Sequence, residues 1–179
     1  MGISLKNKTE GTVANGKCVR TFSGKVVDVM DPNPDMIVID DVGHALSNLC
    51  RFGGHSNQFY SVAQHSVRAA HMAEHHHKFT ALMHDAAEAY LMDLPKPIKN
   101  CLPEYKLAEH NLMIVISAKF GFEWPLPEAV EWIDKKLLEH EWLQLMAGDN
   151  NSSLLAWTPE FAKRNFLEMY YSLKGKGWG

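Results

Sequence analysis

Phe79-Thr-Ala-Leu-Met-His84-Asp85-Ala-Ala-Glu88-Ala-Tyr-Leu-Met92 is the stretch on which the reading of this chain turns. Its alanines, leucine and methionines carry no turn signal, and apolar residues fall on most sides, so it reads as one buried helix over 79–92. An imidazole and a carboxylate side by side in such a helix are costly unless they are paired or hold a metal. His84 and Glu88 are four apart and Asp85 and Glu88 three apart, which sets all three over one side of a helix. His84 and Asp85 differ by roughly 100° about the axis, close enough to serve one ion.

The neighbouring segments extend this set. His65 lies one helix upstream, and Asp134 two helical segments downstream, in Glu131-Trp-Ile-Asp134-Lys-Lys-Leu-Leu-Glu-His-Glu141. Two neutral nitrogens (His65, His84) and two anionic oxygens (Asp85, Asp134) form a complete shell for one divalent transition-metal ion. Glu141 and Asp149 are alternative downstream carboxylates. A transition metal lowers the pKa of its water and polarises a phosphoryl oxygen, which answers the resistance of an anionic phosphate ester to attack. Glu88, one turn along, is placed to orient or deprotonate a water. Asp93, in the rigid Asp93-Leu-Pro-Lys-Pro97 turn, can handle the leaving group's proton. Arg51 offers a planar fork for phosphate, and Lys96 and Lys135 stand near site residues in sequence.

Plainer readings exist for each feature. The His84–Asp85–Glu88 set could be a structural hydrogen-bond cluster, and Arg51 a solvated loop charge. His75-His-His77 fan out around a helix end and are expected to be a solvated terminus. His55 sits in a glycine loop near Arg51, within possible reach of a substrate. Trp132 and Trp142 are expected in the core or at a subunit contact.

At 179 residues the chain is long enough for one well-filled core. A formal charge of −3 gives no general basic surface, so a nucleic-acid polymer is not an expected partner. Three widely spaced cysteines make neither a disulfide framework nor a zinc knuckle. Met1 to Arg20 lacks the apolar segment of a signal peptide, and no apolar run approaches the ~20 residues of a membrane span. The expectation is a cytoplasmic protein without a membrane partner.

Residues 1–20 are expected as a flexible lead-in, and 21–179 as one domain. Thr21 to Asp28 predicts a two-stranded ribbon turning at Ser23-Gly24. Ile39, Val42, Leu46 and Leu49 follow helical spacing, and Arg51 to Asn57 is a flexible connection. Ser61 with Gln64 predicts a capping box and a helix running to His76. Pro95 and Pro97 predict a stiff extended turn. Further helices are predicted near 104–119, 127–147 and 159–173. With almost no strand signal beyond residue 30, the class is all-α with a small N-terminal β-ribbon.

Three ordered motifs carry a family resemblance: Phe59-Tyr-Ser-Val-Ala-Gln-His65-Ser-Val, Ala81-Leu-Met-His84-Asp85-Ala-Ala-Glu88-Ala-Tyr, and Asp93-Leu-Pro-Lys-Pro-Ile-Lys99. Over roughly residues 40–144 the chain resembles the HD-domain phosphohydrolases. Within them it is most similar to the bacterial 5'-deoxynucleotidase branch and its phage relatives, which include small dATP triphosphohydrolases.

The resemblance implies an HD-domain helical bundle with His65, His84, Asp85 and Asp134 as ligands of one divalent ion, manganese, cobalt or zinc. It implies Glu88 and Asp93 as catalytic carboxylates, Arg51 as phosphate-binding, and Phe52 where relatives often carry a tryptophan against the deoxyribose. Phenylalanine keeps the ring and loses the indole N–H. The substrate implied is a small-molecule deoxynucleotide, a monophosphate or a triphosphate such as dATP, with Lys96 adding charge, and the assembly implied is a homo-oligomer, a dimer or larger. Other HD activities are the alternatives. Two-metal phosphodiesterases need more histidines than His110 between the pair and Asp134, and alarmone hydrolases usually carry Glu-Asp where this chain has Glu88-Ala89. A non-catalytic HD binding module is the third reading.

Overall fold

The computed structural model describes residues 18–147 and 154–176. It is mostly helical, with one two-stranded antiparallel sheet at its N-terminal end. Strand β1 (Cys18–Arg20) pairs with β2 (Val26–Asp28), with Val19 opposite Val27. The predicted ribbon is therefore present, but its first strand starts before Thr21, inside the expected lead-in. Residues 21–25 form the turn, closed by Gly24 N–H donating to the Thr21 carbonyl. The rest of the expected lead-in lies outside the described residues.

Helices α1 (Ile39–Asn48) and α2 (Val62–Met72) are followed by α3 (Lys78–Met83), α4 (Glu88–Leu91) and α5 (Lys96–Lys99). Three long helices complete the bundle: α6 (Pro103–Phe120), α7 (Glu128–Leu145) and α8 (Pro159–Lys176). Helix α2 is central, packing against α1, α3, α7 and α8. Eight of its residues, from Val62 to Ala70, are buried. A helix buried on nearly every side must be narrow, and Ala63, Ser66, Ala69 and Ala70 make it so. The main core joins Val42 and Leu46 of α1, Val67 of α2, Leu82 of α3, Leu112 and Ile116 of α6, and Phe166 of α8. Gly43 permits the close approach of α1 and α8, since a Cβ there would lie 3.1 Å from Leu167 and 3.3 Å from Phe166.

Several local expectations need correction, each for a visible reason. The single helix predicted over 79–92 is two, α3 and α4, separated by tight turns. The His84 ring donates from Nδ1 to the Ala81 carbonyl at 2.7 Å, claiming an acceptor that an α-helix would give to the backbone. The following amides bond three residues back, Ala86 to Met83 and Glu88 to Asp85. Ser61 caps α2 by accepting from Gln64 N–H. However, the Gln64 side chain reaches Leu155 and Trp157 rather than folding back to complete a box. Helix α2 stops at Met72, short of His76, and His75–His77 form a separate 3-10 turn. Pro97 opens the one-turn helix α5 instead of forbidding it, because a first-turn proline loses no helical hydrogen bond. Arg51–Gly54 is a tight kinked turn, with positive φ at Phe52 and Gly53, rather than a loose connection. Among the described residues no helix is long and apolar enough to cross a membrane.

Candidate metal centre and adjoining cavity

Four elements deliver the cluster. The backbone of Leu49 and Arg51 pairs with that of Tyr60 and Val62, which ties the Arg51 turn to the start of α2. One turn into α2, His65 points inward and is wholly buried. The break after α3 brings His84 and Asp85 against it, and α7 contributes Asp134 from the other side.

The ligand-type atoms converge. His65 Nε2 lies 3.2 Å from His84 Nε2, 3.0 Å from Asp134 Oδ1 and 3.7 Å from Asp85 Oδ2. His84 Nε2 lies 3.2 Å from Asp85 Oδ2 and 3.6 Å from Asp134 Oδ1. His65, His84 and Asp134 each offer an atom within 4.8 Å of the others, a grouping that could hold a metal ion.

The outer hydrogen bonds fix which ring nitrogens face the centre. His84 Nδ1 meets a carbonyl, which only accepts. His65 Nδ1 meets both Glu141 oxygens at 2.9 and 3.1 Å. Both Nδ1 atoms therefore carry the proton, and in the neutral rings each Nε2 keeps its lone pair within a few ångström of the other Nε2 and of two carboxylate oxygens. Four acceptors at such distances repel unless a proton or a cation sits among them. The donor set, two imidazoles held by outer partners and two carboxylates, fits a divalent transition ion.

The electrostatics agree with this crowding. Burial alone would lower the pKa of His84, but Asp85 and Asp134 raise it well above the ordinary histidine range. His65 is raised too: burial and Arg51 oppose its protonation, and Glu141 and Asp134 outweigh them. Asp85, despite burial, is held far below the usual carboxylate range by His84. Glu88 goes the other way. It is 4% exposed, and burial with the nearby charges of Asp85 and Asp93 raises its pKa well above the usual value. Its Oε1 lies 3.4 Å from Lys99 Nζ, and its buried Oε2 has no hydrogen-bond partner. Asp93 is also raised, chiefly by burial and then Asp85, against the pull of Arg51 and Lys99.

A cavity of about 830 Å³ opens over the cluster, within the usual size range of small-molecule sites. Asp85, Asp134, Glu88, Asp93, Arg51, Phe52 and Lys96 all line it. Two backbone positions are strained, Phe52 in the cavity lining and Met92 next to the lining residue Asp93. Phe52 has φ 58° and Met92 φ 70°, conformations that non-glycine residues rarely hold without surrounding constraint. Met92 is fixed at both ends, its N–H donating to the Glu88 carbonyl and its own carbonyl accepting from Tyr105 Oη at 2.6 Å. That kink turns the chain from α4 into Asp93.

Other expectations fall elsewhere. Lys135 and His55 are exposed and do not line the cavity, and His75 and His76 are exposed. Asp149 lies outside the described residues. Trp142, expected in the core or at a subunit contact, is half-exposed on the cavity wall with its ring edge-on to Phe52 at 6.1 Å. Lys99 and Lys106 line the cavity as well and had no role in the sequence reading. Lys99 stands four residues beyond Pro95, inside the Asp93–Lys99 motif, which was the available signal.

These features define a mostly helical protein with a buried histidine–carboxylate cluster able to hold a metal ion at the floor of a ligand-sized cavity. No family model matches the chain. It is 44% identical over 123 residues to the uncharacterized protein YfdR of Escherichia coli K12, a match covering 69% of each chain. The protein belongs to the same family as YfdR. It is also 31% identical over 122 residues to the uncharacterized protein RCAP_rcc00048 of Rhodobacter capsulatus, covering 63% of this chain and 62% of that one.

Proposed function

We propose that this protein is a divalent-metal-dependent phosphohydrolase of the HD-domain type that acts on deoxynucleotides. The observation that carries the reading is the convergence of His65, His84 and Asp134, with Asp85 beside both imidazoles, where Asp85 and Asp134 line a cavity next to a buried carboxylate, Glu88, with one unpartnered oxygen.

His65, His84, Asp85 and Asp134 would hold the ion, for which manganese, cobalt and zinc are the candidates by ligand type. Bound there, such an ion supplies acidification of a water and polarisation of a phosphoryl oxygen. Arg51, 7% exposed and opening on the cavity, grips phosphate oxygens through its fork. Glu88 takes the proton of the attacking water as the oxygen–phosphorus bond forms. Asp93 delivers a proton to the departing ester oxygen as its bond to phosphorus breaks. Phe52 packs against the sugar, and Lys96 adds positive charge at the mouth.

A panel of deoxy- and ribonucleotide mono- and triphosphates, assayed with Mn²⁺ or Co²⁺ for released phosphate, pyrophosphate and triphosphate, tests the reading. Hydrolysis of deoxynucleotides, abolished by chelator and restored by metal, supports it. A chain that binds metal and hydrolyses none of the panel defeats it.

A further inference from the structure

Glu141 has no part in the proposed chemistry, yet it is the most completely buried carboxylate described in the molecule, with no exposed surface. A buried anion is retained only with several donors around it, and the identity of those donors is informative. His65 Nδ1 donates to it at 2.9 Å and Tyr60 Oη at 2.5 Å, while Arg51 Nε forms an ion pair with its second oxygen at 3.2 Å without hydrogen-bond alignment. Arg68 stands 3.8 Å away and also donates to Tyr60 Oη at 3.0 Å, which turns the Tyr60 proton toward Glu141. Despite burial, these partners hold the Glu141 pKa below the usual carboxylate range.

Two of these partners belong to different halves of the site. His65 presents its opposite nitrogen to the cation cluster, and Arg51 opens on the cavity, where it also pairs with Asp85 at 3.4 Å. Glu141 and Asp134 are seven residues apart on α7 and so share one face. That face meets both nitrogens of the His65 ring, Glu141 at Nδ1 and Asp134 at Nε2. The arrangement also removes Glu141 from the set of metal ligands, since its oxygens address Nδ1 and the cluster forms at Nε2.

We propose that Glu141 is a positioning residue that holds the cation-binding imidazole of His65 and the phosphate-gripping guanidinium of Arg51 in one register. The proposal rests on the phosphohydrolase reading above for the role of Arg51. A carboxylate behind a ligating imidazole fixes the ring's tautomer and orientation and raises its basicity, and losing such a partner costs 10–100-fold in metal affinity. Here the same loss also frees Arg51 to collapse onto Asp85, its other anionic neighbour. Both affinities are therefore expected to fall together.

The test uses Glu141→Gln in the full chain, which keeps shape but sets an amide N–H₂ against donors. Mn²⁺ affinity is measured by calorimetry, and inorganic phosphate affinity by calorimetry on the Mn²⁺-loaded protein. Thermal unfolding reports whether the variant folds. The expected result is a 10–100-fold loss in Mn²⁺ affinity and at least a several-fold loss in phosphate affinity, with cooperative unfolding kept. Glu141→Asp retains the charge one methylene short, guards against a variant that fails to fold, and is expected to show smaller losses in the same directions. Both affinities staying within twofold of wild type, with only the melting temperature moved, overturns the proposal. So does a change in one affinity without the other. A wild-type chain that binds Mn²⁺ but no phosphate strikes instead at the phosphohydrolase reading, and the proposal falls with it.

Discussion

Replacing Glu88 by glutamine should cost activity and return stability, and the two effects have one cause. Glu88 is 4% exposed, with one oxygen unpartnered and two acidic neighbours in Asp85 and Asp93. As a proton acceptor its removal should lower kcat by about 10²–10⁴, or roughly 3–5 kcal/mol of barrier. Stability moves the other way. The folded pKa is raised well above the ordinary 4.5, so the unfolded chain gives up this proton first as pH rises. The contribution of Glu88 is fully present below pH 4.5 and is lost progressively up to its folded pKa, at up to about 1.4 kcal/mol per pH unit. Glutamine has no such proton to lose. Urea unfolding of the metal-free protein, compared between wild type and Glu88→Gln from pH 5 upward, should therefore show the variant gaining on wild type with each step. The same variant should bind Mn²⁺ and turn over slowly. A kcat within twofold of wild type, or a stability difference that does not change with pH, would refute the reasoning.

Three further outcomes follow from the geometry. Arg51→Ala leaves the Glu141 carboxylate buried with one partner fewer, and should cost about 3–5 kcal/mol in chemical denaturation while raising KM for a nucleotide. Because His84 is held above the ordinary histidine value of 6.5 when metal-free, its proton must leave before a cation binds. Mn²⁺ affinity should fall with acidification, and the stability that the protonated ring gives the metal-free chain should fade as pH rises above 6.5 through its folded pKa. Thermal scans with and without Mn²⁺ across that window check both signs. Gly43→Val should destabilise by about 1–3 kcal/mol without altering metal affinity, because its Cβ would press on Leu167 and Phe166 far from the cluster.

The helical class, the ribbon and the three long C-terminal helices were legible because they rest on local signals: apolar spacing, prolines and a serine cap. The residues of the cluster were legible for another reason. His84 beside Asp85 is weak evidence alone, but Glu88 in register and an upstream helical histidine strengthen it, and the motifs around the pair narrow the partners. What escaped was long-range or self-generated. The break between α3 and α4 comes from the His84 ring capturing the Ala81 carbonyl, and no helix propensity encodes that. Gln64 satisfied the pattern of a capping box, but its side chain was taken by the segment at Leu155 and Trp157, some ninety residues away. Glu141 reads from the sequence only as an alternative downstream ligand, and no local pattern in Leu138-Glu-His-Glu141-Trp shows that its oxygens meet the outer nitrogen of His65. Only its seven-residue offset from Asp134 hinted that it faces inward. Trp142, next to it, is expected from the sequence in the core or at a subunit contact, for the same lack of a directional signal, and instead lines the cavity.

Everything proposed for this chain depends on one cation gathered by His65, His84, Asp85 and Asp134, and calorimetric titration of the metal-free protein with Mn²⁺ at neutral pH tests that directly. One ion bound per chain, with binding lost in Asp85→Asn and in His84→Ala while both variants still unfold cooperatively, is the result expected. No uptake by the wild-type chain, or uptake unchanged when His84 is replaced, would contradict the account.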